Sequence, residues 1–172
     1  MQELERTYLI KKIPEGLTKL PHKEILDIYI PSSAEHPVLR IRKAGNKYEI
    51  TKKEPIRGGD SSDQLETTIP LTQEEYAELA ELKGKRVRKV RYYLTKESHT
   101  FEIDVFQDGL RGLVLVDVEF KNIAEKNAFA MPDFCLAEVT QEDWCAGGML
   151  CGKQYKDIEP ELKRFGYQPI VI

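Results

Sequence analysis

A period of two governs this chain. In segment after segment, residues of one kind recur at i and i+2 with residues of another kind between them. Successive side chains of a β-strand point to opposite faces, so such a pattern calls for strands with two unlike faces. In the opening run Glu3, Glu5 and Thr7 share one face, and Leu4, Tyr8 and Ile10 share the other. The first strand is predicted over residues 2–12, and similar patterning predicts others over 23–30, 38–43, 47–53, 64–69, 85–94, 100–106 and 113–120. Turn signals separate them: Pro14-Glu15-Gly16, Pro31-Ser32-Ser33, a tight Ala44-Gly45-Asn46, and a Gly-, Ser- and Asp-rich mobile loop over residues 57–63.

Helices are fewer. Thr72-Gln73-Glu74-Glu75 has the form of a capping box and opens a helix reaching about Lys83, with Tyr76, Leu79, Ala80 and Leu82 toward the core and Gly84 as its stop. Asn122 caps a short helix that Pro132 ends, and residues 157–165 form an amphipathic helix stopped by Gly166. The fold class is therefore α+β and mostly antiparallel. About eight strands are enough to close a barrel, which also removes exposed sheet edges, with two or three helices outside it.

A chain of 172 residues with 41 % hydrophobic content is one domain over 1–172 with its own core. Charged residues reach 32 %, yet the net charge is only −3, which argues against a nucleic-acid-binding domain. No stretch has the form of a signal peptide or a membrane span, and a cytoplasmic setting is expected. Cys135, Cys145 and Cys151 lack the spacing of a disulfide framework or a zinc site. His22, His36 and His99 read as surface or turn residues. Trp144 reads as a core residue, with a place over a cavity mouth as the other option.

The polar faces carry the functional signal. Glu3/Glu5, Glu102/Asp104 and Asp117/Glu119 are acidic pairs, and Arg40/Arg42 and Lys89/Arg91 are basic ones, with Glu66, Lys53 and Lys153 single. Like charges about 4 Å apart repel by about 4 kcal/mol at an effective dielectric near 20, so stability alone would mix the signs. Segregation by strand points to one wall for cations and another for a polyanion. Carboxylates without His or Cys suit a hard cation such as Mg²⁺ or Mn²⁺. Arg and Lys at matched spacing suit phosphate oxygens. Together they form a site for phosphoryl chemistry.

These pieces, in this order, resemble the CYTH superfamily, the triphosphate tunnel metalloenzymes. The matching elements are Glu3-x-Glu5, Arg40-x-Arg42, Thr51-x-Lys53, Glu66, Lys89-x-Arg91, Glu102-x-Asp104 and Asp117-x-Glu119, followed by Glu138-Val139-Thr140 and a Leu-Cys-Gly-Lys ending at Lys153. The resemblance implies an eight-stranded tunnel that binds a linear triphosphate and a divalent metal. A monomer or homodimer is expected. Glu3, Glu5 and Glu119 would hold metal, with Asp104 and Asp117 beside them. Arg40, Arg42, Lys53, Lys89, Arg91 and Lys153 would hold phosphate. Glu5, Lys53 and Arg91 are the candidate catalytic residues, and Thr7, Tyr29, Glu66 and Glu102 complete the lining. The implied activity is metal-dependent hydrolysis of inorganic triphosphate or a small organic triphosphate. The alternatives are a class IV-type adenylate cyclase and a triphosphate or polyphosphate binder without turnover. The chain departs from the family at Thr7, where a lysine is expected, and at Gln64, where a second acid often stands. Lys11 lies about 13 Å further along the strand than Thr7 and is a poor replacement. The Trp144-Cys145-Ala146-Gly147-Gly148 stretch replaces a more polar one.

Overall fold

The structure is a computed structural model and describes residues 1–56 and 59–172. Part of the loop expected over 57–63, namely Arg57 and Gly58, lies outside the described residues. Nine strands are present among the described residues: β1 (Gln2–Ile10), β2 (His22–Ile30), β3 (Leu39–Ala44), β4 (Lys47–Pro55), β5 (Asp63–Leu71), β6 (Lys85–Lys96), β7 (His99–Phe106), β8 (Val114–Phe120) and β9 (Cys135–Glu138). The order β5-β4-β3-β2-β6-β7-β8-β1 is antiparallel throughout, and pairing of β1 with β5 closes it into an eight-stranded barrel. One edge of β1 is shared. Its first residues pair with β5 (Gln2 opposite Leu65) and its last with β9 (Tyr8 opposite Glu138).

Local chemistry explains most boundaries. β3 and β4 meet in a hairpin whose closing pair is Ala44 and Lys47, and Gly45 takes the left-handed φ of 59° that a two-residue hairpin turn demands. Helix α1 (Gln73–Ala80) begins with the expected capping box: Glu75 N donates to Thr72 Oγ1 at 3.2 Å, and Thr72 N donates to Glu75 Oε2 at 2.7 Å. Its contribution to the core differs from expectation. Tyr76, Leu79 and Ala80 are half-buried and Leu82 is exposed. The helix lies outside the β3–β5 sheet, where its main apolar partner is Tyr48, ring to ring at 4.9 Å with Tyr76. Helix α2 (Ile123–Ala128) is capped by Asn122, whose Oδ1 accepts from Glu125 N at 2.8 Å. Two helices follow, α3 (Gly147–Leu150) and α4 (Tyr155–Arg164), so there are four helices among the described residues. None is long and apolar enough to cross a membrane.

Charged side chains occupy the barrel interior, so the apolar faces must pack outward. Tyr8 and Ile10 of β1, Phe101, Ile103 and Val105 of β7, and Val114, Val116, Val118 and Phe120 of β8 form one buried cluster on the outside of the barrel. The C-terminal third covers it with Phe129, Phe134, Trp144, Ile158, Leu162 and Tyr167. Trp144 belongs to this core. His99 is half-buried in β7, edge-on to Phe129 with ring centroids 4.8 Å apart and 3.2 Å from Glu125, whereas His22 and His36 are exposed. All three cysteines are free and buried.

Tyr167 secures the cover. Its buried hydroxyl accepts from Val114 N and donates to Gly112 O, both at 2.9 Å. Tyr167→Phe leaves two buried backbone groups unpaired and is expected to cost about 1–3 kcal/mol, read as a lower urea midpoint at unchanged slope.

Candidate active site

The barrel encloses a cavity of about 340 Å³. Register decides what faces it. Across adjoining strands the inward residues align as Glu5 with Glu119, Thr7 with Asp117, Asp117 with Glu102, and Arg91 with Asp104. The ring continues as Tyr29 with Arg40, Asp27 with Arg42, Arg40 with Thr51, and Lys53 with Glu66. Neighbouring strands β7, β8 and β1 thus bring acids to the cavity. Strands β4, β3 and β6 bring Lys53, Arg40, Arg42, Lys89 and Arg91. Among the described residues the lining holds eleven carboxylates and five lysines or arginines.

The cations are engaged by carboxylates. Arg91 bonds Asp104 through Nε at 2.6 Å and Nη2 at 2.7 Å, and also pairs with Glu102 and, at 3.3 Å, with Asp117. Lys89 Nζ also donates to Asp104 Oδ2, the oxygen that accepts from Arg91 Nη2. Lys53 lies against Glu3 and 3.5 Å from both Glu5 and Glu66. The Glu3 contact is one of charge, since Glu3 Oε2 is buried without an aligned hydrogen bond. Arg42 is clamped by Asp27 at 2.7 Å on two atoms. Arg40 is the least satisfied: Glu66 is 3.7 Å away, and its buried Nε has no acceptor among the described residues.

Proton affinities follow from this pairing. Burial raises Asp104, but Arg91 and then Lys89 outweigh it and hold the carboxyl at about 2. Burial likewise raises Asp27, and Arg42 overrides it, leaving Asp27 well below the usual carboxylate range. Burial pushes Lys89 down, helped by Arg91 and Arg42 and opposed by Asp104. On the acidic side the balance reverses. Burial and then Glu5 raise Asp117. Glu119 is exposed along its residue surface but lines the cavity, and desolvation there, then Glu102, Glu3 and Glu5, push its carboxyl up to about 7. Carboxylates held this close resist carrying their full charge without a cation.

The donor set around Glu3, Glu5, Asp117 and Glu119 is all oxygen and suits a hard divalent cation. Among the described residues no three carboxylates are gathered closely enough to form a finished metal site. Lys53 occupies Glu3 and Glu5, and Arg91 engages Glu102 and Asp117.

The structure brings together Glu3, Glu5, Thr7, Tyr29, Arg40, Arg42, Lys53, Glu66, Lys89, Arg91, Glu102, Asp104, Asp117 and Glu119 around one cavity. Lys153 is half-buried outside that lining, at the turn after α3. Asp104 faces the bases instead of the other acids. Thr7 donates to Asp117 Oδ1 at 2.8 Å, and its backbone N–H donates to Thr140 Oγ1 at 3.1 Å. Sequence reasoning missed Asp27, Glu49, His36, Glu142, Asp143 and Cys145, all of which line the cavity. Asp27 was within reach, two residues before Tyr29 on the same strand face. The loop residues carry no period and gave no signal. Gly147 is required where it stands: a Cβ there would lie 2.1 Å from the Tyr29 hydroxyl.

No family model matches the chain. It is 34 % identical over 143 residues to an inorganic triphosphatase of Nitrosomonas europaea, covering 83 % of this chain and 91 % of that protein. A crystal structure of an inorganic triphosphatase superposes with a TM-score of 0.62 at 26 % identity, covering 88 % of this chain and 95 % of the other. A conserved hypothetical protein of Pyrococcus furiosus shares the fold, with a TM-score of 0.53 at 21 % identity over 90 % of this chain and 93 % of its own.

The crowding at Glu119 yields a pH prediction. Its folded pKa lies above the unfolded value, so the protonated form is favoured by folding. Its contribution to stability is present below about pH 4.5 and is lost as pH rises through about 7. In chelator-treated protein, carboxyl NMR of Glu119 is expected to titrate with a midpoint near 7. Glu5→Gln should move that midpoint down, because one of the repelling charges is gone.

Proposed function

The chain belongs to the CYTH superfamily, and from that membership we propose that it is a divalent-metal-dependent phosphohydrolase acting on a linear triphosphate, inorganic or small organic. The observation that carries this reading is Arg40. A guanidinium whose buried Nε lacks an acceptor, in a cavity shared with four other cations, is a demand for an anion. The carboxylate excess supports the metal. A free polyanion would be repelled by a lining with more acids than bases, so cations must accompany it.

On this reading Arg40, Arg42, Lys53, Lys89 and Arg91 bind the phosphate oxygens, with guanidinium forks matching two oxygens each. Asp104 acts as a support for Lys89 and Arg91, since its Oδ1 accepts from Arg91 and its Oδ2 from both. Glu3, Glu5 and Glu119 would hold Mg²⁺ or Mn²⁺, with Asp117 adjoining. When bound, the cation supplies Lewis-acid charge to the phosphate oxygens. Lys53 and Arg91 stabilise the charge that develops on the transferring group. We assign to Glu5, through a carboxylate oxygen not turned to the cation, the proton of the attacking water. The water oxygen bonds to the terminal phosphorus, the bridging P–O bond breaks, and inorganic triphosphate leaves as phosphate and diphosphate.

Thr7 favours one second reading, a binder without turnover, because a neutral hydroxyl already engaged by Asp117 stands where the family carries a cation.

Purified protein is expected to release phosphate from tripolyphosphate with Mg²⁺ or Mn²⁺ and to stop when a chelator removes the metal. Arg40→Ala should lower kcat/KM about 10- to 100-fold, the worth of a charged hydrogen bond. Tight metal-dependent binding with no release would favour the binder. Diphosphate and cyclic AMP from ATP would make the protein a cyclase. Neither binding nor release with tripolyphosphate, thiamine triphosphate or ATP would sink the proposal.

A further inference from the structure

Asp27 is out of place by charge. It lies on β2, between strands whose inward groups include Arg42 on one side and Lys89 on the other, within the basic half of the ring. It is 2 % exposed, and both its oxygens serve Arg42: Nε donates to Oδ1 and Nη2 to Oδ2, each at 2.7 Å. Its direct neighbours across the sheet are Arg42 on β3 and Val87 on β6.

This geometry has a consequence for Arg42. A guanidinium has five N–H donors in a rigid planar fork. The clamp uses one edge, the Nε–H and one Nη2–H. Nη1 and the second Nη2–H remain, on a side chain that lines the cavity and is itself 8 % exposed. Arg40, two residues earlier on the same face of β3, has no such clamp. The strand therefore offers a fixed guanidinium beside a freer one.

We propose that Asp27 is a positioning residue that fixes Arg42 so that its far edge is presented to phosphate in a set place, making Arg42 the rigid contact of the basic wall and Arg40 the adaptable one. The role rests on the triphosphate reading of the cavity, while the clamp itself does not. A preorganised donor loses less freedom when the anion arrives. The aspartate also removes part of the positive charge at this point, so Arg42 holds phosphate by direction more than by net attraction.

The test has a ligand-free arm and a kinetic arm. In wild-type protein without substrate, the Arg42 Nε–H signal in ¹⁵N NMR, assigned by its loss in Arg42→Lys, should exchange with water at pH 7 at least about tenfold more slowly than that of Arg40. Asp27→Asn should abolish the difference. Equal exchange rates in the wild type would overturn the proposal, whatever the substrate, and this measurement does not depend on a variant that folds. In the kinetic arm, Asp27→Asn should lower kcat/KM for tripolyphosphate about tenfold in the wild-type background and less than about twofold in Arg42→Lys, the non-additivity of residues that act as a unit. Losses that simply multiply would show that Asp27 does not act through Arg42. Thermal unfolding of each variant separates a folding defect from either result. Absence of turnover in every variant and the wild type would remove the triphosphatase reading and with it the phosphate-presenting role, leaving the exchange data to decide the clamp alone.

Discussion

Enclosing ionised side chains in the lumen of a closed barrel is the constraint on which this structure depends. A buried ion loses several kcal/mol of hydration, and a partner of opposite sign must compensate at close range. The barrel meets this through register. Because Arg91 stands opposite Asp104 and Asp27 opposite Arg42 across their ladders, the partners arrive together when the strands pair. A one-residue slip of β6 would turn Lys89 and Arg91 outward and leave Asp104 buried without a counter-charge. The same ion pairs that furnish the cavity therefore penalise wrong pairings, in addition to whatever they contribute to stability.

A lumen full of charge also decides where the hydrophobic core must be. The inside of the barrel cannot supply it, so the outward faces of β1, β7 and β8 do, and they need a cover. That is the work of the chain after β8. α2, β9, the Trp144 turn and α4 lay apolar side chains over those strands, and Tyr167 fastens the last of them to Gly112 and Val114. The segment between β9 and α4 does a second job. As Trp144 packs in the core, its neighbours Glu142, Asp143 and Cys145 are carried to the cavity, and Gly147 lets the helix backbone meet the Tyr29 hydroxyl. The cover and one end of the cavity are built from the same residues.

The eight barrel strands were legible because each had to present unlike faces to unlike surroundings, and period two is the direct record of that demand. Most strand residues that line the cavity were legible for the same reason, although Asp27 on β2 and Glu49 on β4 were passed over. The rest of what escaped had no period. β9 is four residues long and pairs with half an edge of β1, a place that exists only once the barrel has formed. α3 is built around two glycines and owes its shape to the Tyr29 and Pro37 backbone and side chains it touches, not to helix propensity. Asp104 was visible as an acid, but its allegiance was not. Sequence placed it with the other carboxylates by sign, while register set it against Arg91 and Lys89. α1 was found for its capping box, yet its depth was misjudged, since a cap fixes where a helix begins and says nothing about what lies beneath it.

Thr7 shows how far pairing, more than the number of charges, controls such a cavity. With a hydroxyl at this position the acidic side lacks an internal cation between Glu5 and Leu9 of β1. The hydroxyl gives Asp117 one neutral hydrogen bond, and the nearest full positive charge, on Arg91, reaches it at only 3.3 Å while bonding two other acids. Asp117 and Glu119 are left with raised proton affinity as a direct result of burial and like charge. A mobile cation in solution can fill that deficit as a tethered lysine would, and with two or more positive charges in place of one. On the proposed reading, then, the threonine makes the acidic wall more dependent on metal than a lysine would, and the cavity trades a built-in counter-ion for one that arrives with the substrate.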